Sequence, residues 1–172
     1  MGICDFSEEE SLLLAYLNFA WIWPKRLAAC RSPRSNDDIY KLRTLGVRAI
    51  VRLEHCDIPT ESLHSAEIDD WLEPVADFQA PTQDQIERTV YFVLRTVSQG
   101  KPTAVSCGAG YGRTATLLAC VLIASGNTFE DAVQELVRSN THRKPETSQQ
   151  REAVLLFAER LKKGEILHRF GM

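Results

Sequence analysis

The chain has 172 residues, enough for one domain with a sizeable hydrophobic core. Hydrophobic residues make up 44% of the chain and charged residues 25%, which is ordinary for a globular domain. The formal net charge of −3 provides no broad basic surface, so we expect no nucleic-acid partner. Five cysteines without a Cys-x-x-Cys pair indicate neither a disulfide framework nor a zinc site.

Membrane attachment is not expected from the N-terminal region. The apolar segment at 12–23 is too short to cross a bilayer, and Asn18 and Pro24 interrupt it. Three glutamates at 8–10 precede the segment, whereas a signal peptide carries positive charge at that point. We therefore expect no membrane partner.

The first half of the chain shows recognisable start and stop signals for helices. Ser7 and Glu10 form a capping-box pattern, Ser35 is a good helix cap, and Gly46 is a typical helix stop. Between these signals lie alternating or continuous apolar runs, which predict strands. In chain order we predict a helix over 8–16, strands over 18–23 and 26–30, a helix over 36–45 and a strand over 47–53.

The second half begins with a weakly patterned segment, 54–70, which we predict to be a polar loop with at most a short helix. In chain order we then predict a strand over 71–75, a helix over 82–98, a strand over 103–105, and helices over 115–124, 129–139 and 149–163. Strands separated by helices favour a mainly parallel sheet. We therefore expect one α/β domain over 1–172, with about four to five strands, helices on both faces and a helical N-terminal extension at 1–17.

Residues 105–114, Val-Ser-Cys-Gly-Ala-Gly-Tyr-Gly-Arg-Thr, join the last predicted strand to an almost entirely apolar helix. Glycines at such a turn allow the backbone N–H groups to point at one centre, and the helix dipole adds positive charge. Arg113 can hold an oxyanion with two parallel hydrogen bonds. Helix N-termini and nearby cations favour the thiolate form of a cysteine, so Cys107 is a candidate nucleophile.

A thiolate that faces a bound phosphate can attack phosphorus, and the surrounding N–H groups stabilise the transferring phosphoryl group. The pattern therefore indicates phosphoryl transfer through a cysteinyl-phosphate. One alternative is a Walker A nucleotide loop, but the glycine spacing is wrong and no lysine follows. The other alternative is a buried structural cysteine, which leaves Arg113 and the three glycines unexplained.

The motif Cys-x-x-Gly-x-Gly-Arg-Thr between a strand and a helix resembles the signature of the cysteine-based protein phosphatases. Outside the motif, the chain is similar to the small atypical dual-specificity phosphatases over about 18–160. The segments that carry this similarity are 18–21, 27–28, 45–47, 77–78, 81–86, 118–120 and 146–150. The resemblance implies a protein-tyrosine-phosphatase-like fold and a reaction that needs no metal and no other cofactor.

The resemblance assigns roles to the residues of the motif. It implies that Cys107 is the nucleophile, that Arg113 is catalytic and binds phosphate, and that Thr114 donates its hydroxyl to the thiolate. A plain first-turn threonine bonded to its own helix is the alternative for Thr114. The remaining phosphate-binding residues would be those of the loop: Gly108, Ala109, Gly110, Tyr111 and Gly112.

The leaving group needs a proton donor on the opposite side of phosphorus, and hence from a different loop. The family places an aspartate on a loop upstream of the signature strand, which here matches Asp77. Its rivals are Asp69 and Asp70, which we interpret as solvated loop residues, and Asp84. Because Asp84 falls in the first turn of a predicted helix, we interpret it as a partner of the helix dipole.

Two accessory candidates and one charged cluster complete the set. Ser106 stands where the family has histidine, so we expect weaker support of the thiolate and slower turnover near neutral pH than in relatives. Gln150 could position water or phosphate, although its pattern favours a helix-surface glutamine. We interpret the cluster of Arg138, His142, Arg143 and Lys144 as solvated.

None of the loop residues between Cys107 and Arg113 is basic, which favours a singly phosphorylated substrate. Our leading hypothesis is a cytoplasmic, monomeric protein phosphatase acting on phosphotyrosine and also on phosphoserine and phosphothreonine. The cytoplasm follows from the reducing compartment that a thiolate enzyme needs. The alternatives are a phosphoprotein-binding pseudophosphatase, supported only by Ser106, and a phosphatase for lipid, nucleotide or RNA phosphates.

Overall fold

A five-stranded sheet with the strand order β1-β2-β5-β3-β4 organises the molecule. The computed structural model describes residues 8–56 and 58–166, so Ser7 of the predicted capping box lies outside the described residues. The elements are α1 Glu8–Tyr16, β1 Ala20–Trp23, β2 Leu27–Arg31, α2 Asn36–Thr44, β3 Ala49–Arg52, α3 Thr60–Ser65, β4 Asp69–Leu72, α4 Gln83–Ser98, β5 Thr103–Cys107, α5 Gly112–Ala124, α6 Phe129–Ser139 and α7 Ser148–Lys162.

All neighbouring strands are parallel except β1, which runs antiparallel to β2. β5 lies in the middle, with Arg31 of β2 in register with Cys107 and Arg52 of β3 in register with Ser106. The carboxyl ends of β2, β3 and β5 therefore meet at one edge of the sheet, which is where open α/β sheets place ligands. The predicted fold class is confirmed.

The two faces of the sheet are covered by different helices. Val51 and Val105 join a core built with α4 to α7, whereas Ile50 and Ala104 join a second core with α1 to α3. The division follows from the strand geometry, because successive side chains point to opposite faces. All thirteen residues of α5 are buried, as expected for a helix that is apolar on every side. None of the described helices is long and apolar enough to span a bilayer.

The clearest sequence-based error concerns β4. We predicted a strand over 71–75 and a solvated loop for Asp69 and Asp70, but both aspartates belong to the strand. The side chain of Asp70 is 3% exposed and accepts a hydrogen bond of 2.8 Å from Arg52 Nε, whereas the half-exposed Asp69 pairs with Lys101. Arg52 of β3 pairs with Asp70 of β4, and Asp69 pairs with Lys101. Because these charged partners lie far apart in sequence, the apolar pattern alone did not reveal the strand.

Asp70→Asn should destabilise the protein strongly, because it leaves the buried Arg52 guanidinium without a counter-charge. Removing one partner of a buried pair costs about 3–5 kcal/mol of unfolding free energy. Asp69→Asn is the matched control, and its half-exposed pair contributes less than about 1 kcal/mol. Urea denaturation of the two variants measures the difference, and equal losses would contradict the assignment.

Candidate active site

Seven consecutive backbone N–H groups follow Cys107 in the chain and have no hydrogen-bond partner among the described residues. β5 ends at Cys107 and α5 begins at Gly112, and no N–H from 108 to 114 donates a hydrogen bond to a described residue. The next one, Ala115 N–H, bonds to Tyr111 O at 2.7 Å. Buried N–H groups in proteins are paired in more than about 90% of cases. A free row of them at a helix N-terminus is a ready-made anion site, and Cys107 lies beside it, 3% exposed.

Gly110 lets the loop pass closely over the end of β2. Its φ of +79° lies in the left-handed region, which favours glycine. A Cβ at this position would stand 2.6 Å from the carbonyl carbon and oxygen of Cys30. The tight turn around the anion site therefore depends on glycine at 110.

Arg113 connects the loop to the strand edge and to the candidate acid. Its Nη1 donates to Val75 O at 2.8 Å, and its Nη2 lies 3.1 Å from Glu54 Oε2 and 3.0 Å from Asp77 Oδ1. Its Nε is buried and has no partner among the described residues. The guanidinium is thus held by protein on one side and keeps one donor free.

Thr114 Oγ1 is also buried without a partner in the described part of the chain. Thr116, two residues later, bonds normally to Gly112 O at 2.8 Å. The interpretation of Thr114 as a threonine bonded to its own helix is therefore wrong. Thr114 is adjacent to Arg113 in sequence, so two consecutive residues each carry a buried polar group without a described partner.

A cleft of about 350 Å³ brings most of the predicted residues together. It is lined by Arg34, Glu54, Asp77, Phe78, Cys107, Gly108, Ala109, Tyr111, Gly112, Arg113 and Glu146. Of the rival acids, Asp69 and Asp70 lie on β4 and Asp84 in the first turn of α4, and none of the three lines the cleft. Asp77 is therefore the aspartate that the fold brings to the candidate nucleophile.

The loop that carries Asp77 has an unusual backbone. Asp77 Oδ1 accepts a hydrogen bond of 3.1 Å from the N–H of Phe78, and Phe78 has a φ of +58°. Bulky residues rarely adopt the left-handed region. Thr147 Oγ1 donates to Phe78 O at 3.3 Å, so the start of α7 helps to hold this conformation.

Gln150 supports the same loop from the inside of the protein. The structure contradicts our interpretation of it as a surface residue, because its side chain is fully buried. Its Oε1 accepts from the N–H of Glu146 at 2.8 Å, and its Nε2 donates to Gln79 O at 3.2 Å. Gln150 does not line the cleft, so it connects the N-terminus of α7 to the Asp77 loop.

Ser106 stands where the phosphatases that the sequence resembles have histidine. Its side chain is buried in the sheet. Its hydroxyl donates to Val51 O at 2.9 Å and lies 3.5 Å from Ser32 Oγ. The N–H of Ser32 in turn donates to Cys107 O at 2.8 Å. Ser106 therefore fixes the end of β5 between its neighbours, but it adds no charge to the site.

Several residues of the site were not predicted from the sequence. Glu54 lies two residues after the end of β3, at the carboxyl edge of the sheet, so its position in the fold was a usable signal. Glu146 covers the place where a Cβ of residue 112 would stand, and no local pattern indicates this. Arg143 belongs to the cluster that we interpreted as solvated, which is wrong for this residue, because it is fully buried and donates to Gly110 O.

A second thiol lies close to the site. Cys30 is fully buried at the end of β2, in register with Ser106. Burial raises the pKa of the Cys30 thiol to about 12, so this group stays neutral at physiological pH. Among the described residues, no three His, Cys, Asp or Glu side chains cluster closely enough to hold a metal ion.

Residues 17–164 match the family PTP-SAK, described as the DSP-PTPase phosphatase domain of Swiss Army Knife proteins, and the chain belongs to this family. It is thus a phosphatase of the cysteine-based protein-tyrosine-phosphatase superfamily, as the signature predicted.

Two of the relatives that match in sequence come from Arabidopsis thaliana. The phosphatidylglycerophosphate phosphatase PTPMT1 is 33% identical over 106 residues, which is 59% of this chain and 32% of the relative. PTPMT2, of the same description, is 34% identical over 106 residues and is covered to 46%. The chain therefore spans less than half the length of these relatives.

Solved structures show the same fold at lower identity. A mutant form of Tk-PTP superposes with a TM-score of 0.77 at 24% identity, covering 84% of this chain and 97% of that one. PTPMT1 in complex with PI(5)P gives a TM-score of 0.76 at 19% identity, with coverages of 86% and 98%.

Gly110→Ala should disrupt the loop, because the new methyl group would overlap the Cys30 carbonyl. Misplacing catalytic groups by about 1 Å costs on the order of 100-fold in rate, so we expect at least that loss in kcat/KM on para-nitrophenyl phosphate. Gly126→Ala is the matched control: its φ is +101° and nothing lies within 4 Å. It should lose about 1–2 kcal/mol of stability and keep its activity. Full activity in Gly110→Ala would contradict the close approach.

Proposed function

We propose that this phosphatase hydrolyses phosphotyrosine in proteins, and phosphoserine or phosphothreonine less rapidly, through a cysteinyl-phosphate. The observation that carries the proposal is the row of unpaired N–H groups from 108 to 114 beside Cys107. A phosphate dianion can accept hydrogen bonds from several of these groups and from the free Nε of Arg113. The same donors stabilise the additional charge at the phosphoryl oxygens during transfer.

In the first step, the thiolate of Cys107 attacks phosphorus and forms an S–P bond. The P–O bond to the substrate breaks, and its electron pair goes to the leaving oxygen. The carboxyl group of Asp77 gives that oxygen a proton, so a neutral phenol or alcohol departs. Asp77 suits this role because it lies in the same cleft, 3.0 Å from Arg113 Nη2, and its side chain is 70% exposed.

In the second step, water attacks the phosphorus of the cysteinyl-phosphate. The carboxylate of Asp77 takes one proton from that water, the S–P bond breaks, and its electron pair returns to Cys107 as thiolate. Thr114 Oγ1, buried without a described partner, can donate a hydrogen bond to the departing sulfur. Inorganic phosphate leaves, and the enzyme is back in its starting protonation state.

The rim of the cleft supports a substrate with an aromatic ring and one phosphate. Phe78, 60% exposed, and Tyr111 provide two aromatic side chains at the rim, and aromatic pairs contribute about 0.5–1.5 kcal/mol beyond burial. Three carboxylates, Glu54, Asp77 and Glu146, line the same cleft beside only two arginines. A further phosphate would enter a region with little positive charge to spare.

A lipid phosphomonoester is the second candidate substrate. It is favoured by the description of the two Arabidopsis thaliana relatives as phosphatidylglycerophosphate phosphatases. The headgroup of such a lipid also presents one terminal phosphate monoester, which the loop can hold in the same way. The two candidates therefore share their chemistry at Cys107 and differ in what contacts the rim.

A substrate panel tests the proposal. We expect kcat/KM to be at least about tenfold higher for phosphotyrosine peptides than for the other substrates. These are phosphoserine peptides, phosphatidylglycerophosphate in mixed micelles, nucleoside monophosphates and triphosphate-ended RNA.

Phe78→Ala should lower kcat/KM for phosphotyrosine peptides about two- to tenfold and leave the values for aliphatic phosphates unchanged.

Tyr40→Ala is the control, since Tyr40 is 70% exposed and does not line the cleft. A clear preference for the lipid would contradict the protein substrate and favour the second candidate, a lipid phosphomonoester. Tight binding of phosphopeptide without turnover would indicate a pseudophosphatase instead.

A further inference from the structure

Arg143 is fully buried, does not line the cleft, and donates a hydrogen bond to the phosphate-binding loop, residues 108–113. It follows α6, and its three donating nitrogens all have partners. Nε donates to Gly110 O at 3.1 Å, Nη2 to Asn18 O at 2.7 Å, and Nη1 to Ser139 Oγ at 2.8 Å. Each of these acceptors is a neutral oxygen.

No carboxylate of the described residues forms an ion pair with Arg143. Burial lowers the pKa of Arg143 from its ordinary value, but an arginine side chain still carries its charge at neutral pH. Charged residues are almost never fully buried without a charged partner. The fold therefore keeps one uncompensated positive charge behind the loop.

The charge of Arg143 lies directly behind the loop, because its Nε donates to Gly110 O, and Gly110 in turn packs on the carbonyl of Cys30. The thiols of Cys107 and Cys30 and the hydroxyl of Tyr111 interact electrostatically with it. Cys30 is neutral at physiological pH because burial raises its pKa, so its thiol does not compensate the charge of Arg143. On the open side, Cys107 faces the other charged groups of the cleft: Arg34, Glu54, Asp77, Arg113 and Glu146. At the end of β2, the neighbouring ion pair of Arg31 and Asp38 compensates itself.

The hydrogen bonds of Arg143 also orient the loop. In a planar trans peptide the C=O and the N–H point in opposite directions. Because Arg143 holds Gly110 O, the N–H of Tyr111 points away from Arg143. Asn18 Nδ2 holds Ala109 O in the same way at 2.7 Å, which turns the N–H of Gly110 away from Asn18. Both N–H groups belong to the unpaired row.

We propose that Arg143 is the positioning residue of the phosphate-binding loop, where it turns the Tyr111 N–H toward the bound phosphate and supplies an uncompensated charge that stabilises the Cys107 thiolate and the phosphate. This inference rests on the proposed cysteinyl-phosphate chemistry. It explains how the site can function with Ser106, whose hydroxyl donates to Val51 O and carries no charge. The positive charge comes from Arg143 instead.

Two measurements test the charge without requiring turnover. The first is the rate of alkylation of Cys107 by iodoacetamide as a function of pH, read by mass spectrometry of the Cys107 peptide. The second is the concentration of inorganic phosphate that protects Cys107 from alkylation.

We expect Arg143→Gln to move the alkylation profile to higher pH and to weaken phosphate protection at least tenfold. Arg143→Lys should keep the profile near that of the wild type, since it keeps the charge. Arg138→Gln, in an exposed pair with Glu135, should change nothing.

A second pair of variants keeps Arg143 in place. Ser139→Asp puts a carboxylate on Nη1 and compensates the charge, whereas Ser139→Asn has the same shape without charge. We expect Ser139→Asp to reproduce the higher-pH profile and the weaker protection, and Ser139→Asn to resemble the wild type. A purely structural role of Arg143 would not separate these two variants, and this pair decides the matter if Arg143→Gln fails to fold.

Unchanged profiles and phosphate protection within twofold of the wild type, in folded Arg143→Gln or in Ser139→Asp, would overturn the inference alone. A wild type that phosphate does not protect would overturn both this inference and the proposed function. A wild type that phosphate protects, with the expected variant effects but no turnover of any phosphomonoester, would overturn the proposed function and leave the role of Arg143 standing.

Discussion

The row of unpaired N–H groups from 108 to 114 is the constraint on which the rest of the structure depends. Four of the residues in this row are buried, namely Gly110, Gly112, Arg113 and Thr114. A buried donor without a partner costs on the order of 1–3 kcal/mol, so the chain must hold this arrangement by other contacts. The central position of β5, the fully buried α5 and the close approach of Gly110 to Cys30 supply those contacts. The unpaired N–H groups lower the stability of the fold at this site. An anion that accepts hydrogen bonds from them restores that stability.

The second requirement is that the Asp77 loop and the phosphate-binding loop keep their relative positions. Arg113 provides the direct connection, since it bonds to Val75 O and pairs with Asp77. The start of α7 provides an indirect one, through Thr147 and the buried amide of Gln150. A phosphate that takes up the free donor of Arg113 therefore binds to a side chain that already contacts Asp77, the proposed proton donor.

The parts that could be predicted from sequence are those whose signals are local. The strand, glycine turn and helix around Cys107 lie within one continuous segment, and the alternation of strands and helices was enough for the fold class. Asp70 and Gln150 could not be placed, because their burial comes from partners distant in sequence, Arg52 and the Asp77 loop. Arg143 looked like a solvated charge for the same reason, since its acceptors lie on three separate segments.

The central claim is that a phosphoryl group is transferred to Cys107. Rapid quenching of the enzyme in acid during turnover of a phosphotyrosine peptide, followed by mass spectrometry, tests it directly. The account predicts a phosphoryl adduct on the Cys107 peptide, more abundant in Asp77→Asn if loss of the base slows the second step more than the first, and absent in Cys107→Ser, which should have no activity. Hydrolysis by Cys107→Ser at the wild-type rate, with no adduct in the wild type, would contradict the account.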